Sequence, residues 1–273
     1  LNPLVVLHLV GGAHNDSLMI GLMVLGLWLG VRHHLAVGAI CIAAAASIKQ
    51  PAAAAILAVA ALPAWRGNDW GRPSKLDVMR KLVPAGAIFA VAFAAIGLAS
   101  GLGFGWITAL GVPGAVRSML APFTALGSGL EWIAYRAGAT ALGDAMVPTV
   151  QRIGQLIGLG IMGYLVWRYK AKHPVRTLGW ILIAFVLTGP VIHPWYMLWG
   201  GLLFAMTEHS VRRRQAVLWA TVGFVLYSAF DFGWFKNSQT ALAVSAMLAL
   251  IWVATGHDKG LNRDVDLHRS SHP

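Results

Sequence analysis

Among the polar breaks between the apolar runs of this chain, three short stretches carry residue types that limit the chemistry it can perform. The first is His14-Asn15-Asp16, just after Gly11 and Gly12 and flanked by apolar runs. A carboxylate and an imidazole at a membrane boundary are costly unless paired or wet, so they point by default to a functional site. Asp16 could bind sugar hydroxyls or take a proton, and His14 could donate to a phosphate. The competing reading is that Asn15 or Asp16 only caps the next helix by accepting from its orphan N–H groups.

The second stretch, Lys49-Gln50-Pro51, splits an alanine-rich apolar hairpin. Proline there breaks a helix and frees backbone carbonyls. Lys49 either snorkels to an interface or offers a compact ammonium to a lipid phosphate. The third is His193-Pro194-Trp195-Tyr196, a tip flanked by Pro190 and Pro194 between two apolar runs. Trp195, Tyr196 and Trp199 could be an interfacial aromatic belt. His193 among them fits less well as belt, because aromatic faces with one His suit a carbohydrate ring and a phosphate together.

Arg117, Glu131, Arg136 and Asp144 lie in a long polar connection, where one arginine could grip a phosphate bidentately. No metal-ligand spacing is present, since adjacent His33 and His34 point to different helix faces. No Walker loop occurs, and Gly101–Trp106 is glycine-rich without the dinucleotide fingerprint. No cofactor is expected.

The elements that must hold these residues are apolar helices. Of 273 residues, 58% are hydrophobic and 11% charged, against about 25% charged in soluble domains. Runs such as Ala85–Leu98 and Leu242–Ala254 are apolar all round, which calls for lipid or a bundle interior. The predicted architecture is an all-α, polytopic transmembrane bundle. It has about nine complete or short spans and one truncated span at Leu1–Gly12, following the roughly 20-residue rule for a straight crossing. The runs at 36–48 and 52–65 are short, so they form tilted helices or a re-entrant pair. Residues 1–256 make one transmembrane domain, with an outer loop at 105–152 built of short amphipathic surface helices and a polar tail at 257–273. The lone Cys41 is a packing residue. The chain opens on Leu1 inside an apolar stretch and reads as a piece lacking its N-terminal part.

Charge orients the spans. Alternate loops hold 16 of the 21 Lys and Arg residues, counting Arg32, the stretches 66–81, 168–176 and 212–214, and the tail. These loops and the C-terminus are assigned to the cytoplasm. The three polar stretches and the 105–152 loop then face outward. The same rule explains the net charge of +11 without nucleic acid, whose footprint would be a stripe on one face.

Taken together, Asn2-Pro3-Leu4, Gly11 to Met19, Ile48-Lys49-Gln50-Pro51, Gly111 to Arg117 and Gly189 to Tyr196 resemble the actinobacterial α-(1→6)-mannopyranosyltransferases. The resemblance covers nearly the whole chain apart from the tail. It implies an inverting, multi-pass cell-membrane hexosyltransferase of the GT-C superfamily with its site on the outer face. The donor would be polyprenol-phosphate-mannose, and the acceptor a growing α-(1→6) mannan of lipomannan and lipoarabinomannan. Asp16 is the candidate catalytic carboxylate, although the family's usual acidic residue sits in the first external loop, ahead of Leu1, and without it this piece would be inactive. His14, Asn15, Lys49, Gln50, Arg117, His193, Trp195 and Tyr196 are the candidate substrate-binding residues. The alternative is a transporter or flippase of a sugar or lipid-linked sugar, for which the Lys49–Pro51 break offers one broken helix.

Overall fold

The computed structural model describes residues 2–62, 75–115, 117–118, 120–169, 173–207, 211–233 and 246–253. The basic stretch at 66–74, the loop at 234–239, the start of the run at 240–254 and the tail at 257–273 lie outside them. Among the described residues all regular structure is helical, as the apolar periodicity predicts.

The chain divides into two compact units, Asn15–Leu203 and a second made of Leu1–His14 with Phe204–Pro273. In the larger unit α1 (Asp16–Val31) turns back at Arg32-His33-His34 into α2 (Leu35–Ile48). His33 takes a left-handed φ of 64° in this turn. The two helices cross at Gly26 and Gly38. A Cβ on Gly26 would lie 3.0 Å from the Gly38 carbonyl oxygen and 2.7 Å from Ile42 Cδ1. Only small residues allow backbones so close.

Pro51 lacks the N–H that would continue α2, so the helix stops at Ile48 and Lys49 is extended (φ −147°, ψ 121°). A 3-10 turn, Gln50–Ala54, leads into α3 (Ala55–Ala61). Over their described residues, the short runs foreseen at 36–48 and 52–65 are thus separate helices. α4 (Lys75–Ala99) packs on α2 and α3, where Ala39, Ala60 and Ala85 form a fully buried small-residue core. After α5 (Trp106–Ala109) and α6 (Val112–Ala115), α7 (Pro122–Arg136) and α8 (Thr140–Tyr169) form a hairpin. α9 (Pro174–Thr188) packs on α8 and α3. A 3-10 turn at Pro194–Tyr196 then opens α10 (Met197–Ala205).

The smaller unit holds a π-helical turn, Val5–Gly11, the helix α11 (Val211–Gly233) and a helical segment at 246–253. His8 is buried there, with Nε2 2.8 Å from Ser228 Oγ. Ser228 gives its one proton to the Phe224 carbonyl at 2.7 Å, so Nε2 of His8 donates.

Two expectations change. The connection at 105–152 is not wholly made of short surface helices, because α8 is continuous from Thr140 and carries Pro148 inside it. Packing against α7 keeps those first turns helical where local propensity would not. The count of nine spans is also not reproduced. Among the described residues, Leu76–Ala99 is the one single helix long and apolar enough to cross a bilayer. Shorter apolar helices of 10–17 residues among the described residues include Leu35–Ile48 and Pro174–Thr188. α4 and α8 nevertheless expose large apolar side chains, among them Val91 (71%) and Leu156 (67%). So broad an apolar exterior suits contact with lipid or protein better than with water.

Candidate active site

Asp16 lies in the first turn of α1 and is completely buried. The N-cap position belongs to Asn15, which makes no side-chain capping bond. The Asp16 carboxylate is occupied elsewhere. Lys49 Nζ donates to Oδ1 at 2.9 Å and to Oδ2 at 2.8 Å, and Trp199 Nε1 donates to Oδ1 at 2.7 Å. A buried ion is tolerated only with such pairing and with its remaining lone pairs engaged. The extended backbone at Lys49, between the end of α2 and the 3-10 turn, brings the ammonium to α1 from 33 residues away.

Lys49 also faces two rings, with Nζ 4.6 Å from the Tyr196 centroid and 5.5 Å from that of Trp199. Its charge is therefore held by a carboxylate and two π faces, while 22% of the side chain stays exposed. From Lys49 the rings run on continuously. Tyr196 stacks on Trp199 at 4.2 Å and meets His193 edge-on at 5.1 Å. His193 lies flat on Trp195, 4.5 Å away with planes 4° apart. Breaks far apart in sequence thus form one cluster: a buried carboxylate, a partly exposed ammonium, an imidazole and three large aromatic rings. Such a set can bind an oxyanion and stack a sugar ring.

The other candidates sit differently. Gln50 is half-buried and lines an apolar cleft of about 350 Å³ with Ala53, Phe89, Phe93 and Trp106. Asn15 is exposed. His14 belongs to the smaller unit, its ring 6.0 Å from that of His8. Arg117 is exposed and paired bidentately with Glu131, its Nη2 donating to Oε1 at 2.9 Å. That guanidinium holds the Glu131 carboxyl below its ordinary value. Tyr135 donates to Asp144 at 2.6 Å, which pushes the phenol up.

Sequence reasoning placed Trp199 in a belt and passed over Ser118, Thr124 and Gln151. All three are buried polar residues bonded to the backbone of the His193 tip or to one another. Gln151 stands next to Arg152 at the end of the polar 105–152 connection, so local pattern gave no signal for it. No metal-holding group of His, Cys, Asp or Glu occurs among the described residues.

A family model described as α-(1→6)-mannopyranosyltransferase, N-terminal domain, matches residues 1–65. A second, described as the MptB C-terminal domain, matches residues 123–257. A probable α-(1→6)-mannopyranosyltransferase of Mycolicibacterium smegmatis is 35% identical over 72% of this chain and 40% of its own length. Alpha-(1→6)-mannopyranosyltransferase A of Mycobacterium tuberculosis is 32% identical over 73% and 39%. Its Corynebacterium glutamicum namesake is 26% identical over 93% and 54%. The chain thus spans about half the length, or less, of these curated relatives. No solved structure matches. With both ends of the described cluster, Asp16–Lys49 and His193–Trp199, inside segments matched by these models, the chain belongs to the α-(1→6)-mannopyranosyltransferase family.

Proposed function

We propose that the chain is the part of a multi-pass membrane mannosyltransferase that grips the phosphate of a lipid-linked mannosyl donor, polyprenol-phosphate-mannose. The acceptor is a growing α-(1→6) mannan of lipomannan and lipoarabinomannan. The observation that carries this is Lys49, whose ammonium is fixed by Asp16 and yet partly exposed beside the Tyr196 and His193 rings. An ammonium has three N–H groups, and two bonds go to Asp16. The third is available to a phosphate oxygen.

In the reaction an acceptor hydroxyl attacks the anomeric carbon from the face opposite the phosphate. The C–O bond to phosphate breaks, its electron pair leaves with the phosphate, and the hydroxyl proton passes to a base. Lys49 and His193 stabilise the charge that develops on the leaving phosphate. Trp195 and Tyr196 stack the sugar ring. Asp16, with both oxygens engaged, positions Lys49; the base is assigned to the length of the relatives beyond the matched span. The exposed apolar faces of α4 and α8 and the 16-to-5 loop charge asymmetry support bilayer embedding with the site outward.

The test is mannosyl transfer from labelled polyprenol-phosphate-mannose in membranes carrying the whole protein. Lys49→Ala and His193→Ala should each lower transfer about a hundredfold, the scale of losing one electrostatic stabiliser. Full transfer by both variants overturns the assignment.

A further inference from the structure

The segment Gly189–Ile192 is buried and non-helical, and it carries the tip that presents His193, Trp195 and Tyr196. Its backbone polar groups need partners, and two of the key donors are hydroxyls from a distant part of the chain. Thr124 Oγ1 donates to the Pro190 carbonyl at 2.5 Å. Ser118 Oγ donates to the Ile192 carbonyl at 3.2 Å and accepts from the Ile192 N–H at 3.4 Å.

Thr124 is itself held. It is completely buried, and Gln151 Nε2 donates to its hydroxyl oxygen at 3.0 Å. A hydroxyl has one proton. Since that proton goes to Pro190, the chain runs one way only, from Gln151 through Thr124 to the Pro190 carbonyl, and successive bonds polarise one another. Gln151 reaches Thr124 because α7 and α8 nearly touch. A Cβ on Gly127 would lie 2.9 Å from Val147 Cα, and one on Gly154 would lie 2.4 Å from the Phe123 ring. Backbone satisfaction alone would need only Thr124. The added glutamine fixes the hydroxyl's direction, and with it the carbonyl three residues before His193.

We propose that Thr124 and Gln151 are positioning residues for mannosyl transfer, setting the His193–Trp195–Tyr196 rings through the Pro190 carbonyl. This rests on the reading of that tip as part of the transfer site. A small displacement of a reacting group costs rate steeply, and Pro190 is close enough in the chain to His193 to pass one on directly.

The experiment uses the whole protein in membranes, with transfer normalised to folded enzyme. Thr124→Val, nearly the same shape, should lower kcat about tenfold with donor KM little changed, as expected when an interaction made in the transition state is lost. Thr124→Ser, which keeps the donor, should restore kcat to within about twofold. The double variant Thr124→Val/Gln151→Leu also removes the glutamine amide that the single variant leaves unpaired, and only the Pro190 carbonyl still lacks its hydroxyl donor, so its thermal midpoint should recover part of the way toward that of the parent while kcat stays low. Recovery of kcat together with the midpoint would mean a merely structural role and overturns the proposal. A wild-type kcat for Thr124→Val beside an inactive His193→Ala also overturns it, leaving the site reading intact. Full activity of His193→Ala removes the site reading and this inference with it.

Discussion

Lys49 and Asp16 form an ion pair in which the carboxylate is completely buried and the ammonium is not. The asymmetry gives the two residues different parts. Asp16 can serve only the groups that already touch it, whereas Lys49 retains access to something outside.

Breaking that pair from one side should be severe. Lys49→Met leaves a buried carboxylate to which the Trp199 N–H still donates but whose counter-ion is gone, and losing one partner of a buried pair costs about 3–5 kcal/mol. The double variant Asp16→Leu/Lys49→Met should recover most of that loss, since apolar replacement of a whole buried pair is often neutral. Thermal unfolding of the purified protein in detergent measures both. A double variant no more stable than Lys49→Met would show that the pair is not an isolated unit.

Trp199→Phe keeps the ring over Lys49 but removes the indole N–H from Asp16. A hydrogen bond to a charged group contributes about 1.5–3 kcal/mol, so a loss in that range is expected in the same unfolding assay. Trp195→Phe removes no bond to Asp16 and should shift stability less.

Crowding the crossing of α1 and α2 should also destabilise. At Gly38 a Cβ would come within 3.0 Å of the Gly26 carbonyl oxygen. Overpacking of this kind costs about 1–3 kcal/mol, and Gly38→Ala is expected to lower the unfolding midpoint. Gly21→Ala, with open space around its Cβ, should not.

The Arg117–Glu131 pair predicts a pH dependence with a definite sign. Arg117 holds the Glu131 carboxyl below its ordinary value in the folded state. In that window the unfolded chain binds more protons, so stability rises with pH across it. The contribution is complete above the ordinary carboxyl value and is lost as pH falls through the lowered one. Hydrogen exchange of α7 as a function of pH reads this out, and Glu131→Gln should flatten that component of the profile.

Much of the site was legible because its residues are anomalies. A lysine beside a proline in an alanine run, a carboxylate between apolar runs and a histidine between prolines are each costly in apolar surroundings, and cost marks function. The helix breaks were legible for the same local reason: Pro51 ends α2, and Pro190 with Pro194 keeps residues 189–193 non-helical ahead of the 3-10 turn. Trp199 was not legible as a partner of Asp16, since an aromatic near a membrane boundary has a sufficient reason to be there, and their bond spans 183 positions. Thr124 and Gln151 were hidden differently. Threonine and glutamine are unremarkable in a loop, and only the close approach of α7 to α8 makes them buried. The first turns of α8 were missed because tertiary packing, not local pattern, keeps them helical.

The 33-residue separation of Asp16 from Lys49 also constrains biogenesis. α1 emerges from the ribosome first, carrying a carboxylate whose counter-ion has yet to be synthesised. Inserted alone, it would have to bring that group into hydrocarbon either protonated or at a cost of several kcal/mol. In the membrane-embedded arrangement proposed above, once α2 and Lys49 follow, the hairpin carries its own neutralising charge, so the α1–α2 hairpin, and not the single helix, would be the smallest piece able to leave the translocation machinery without an unpaired charge.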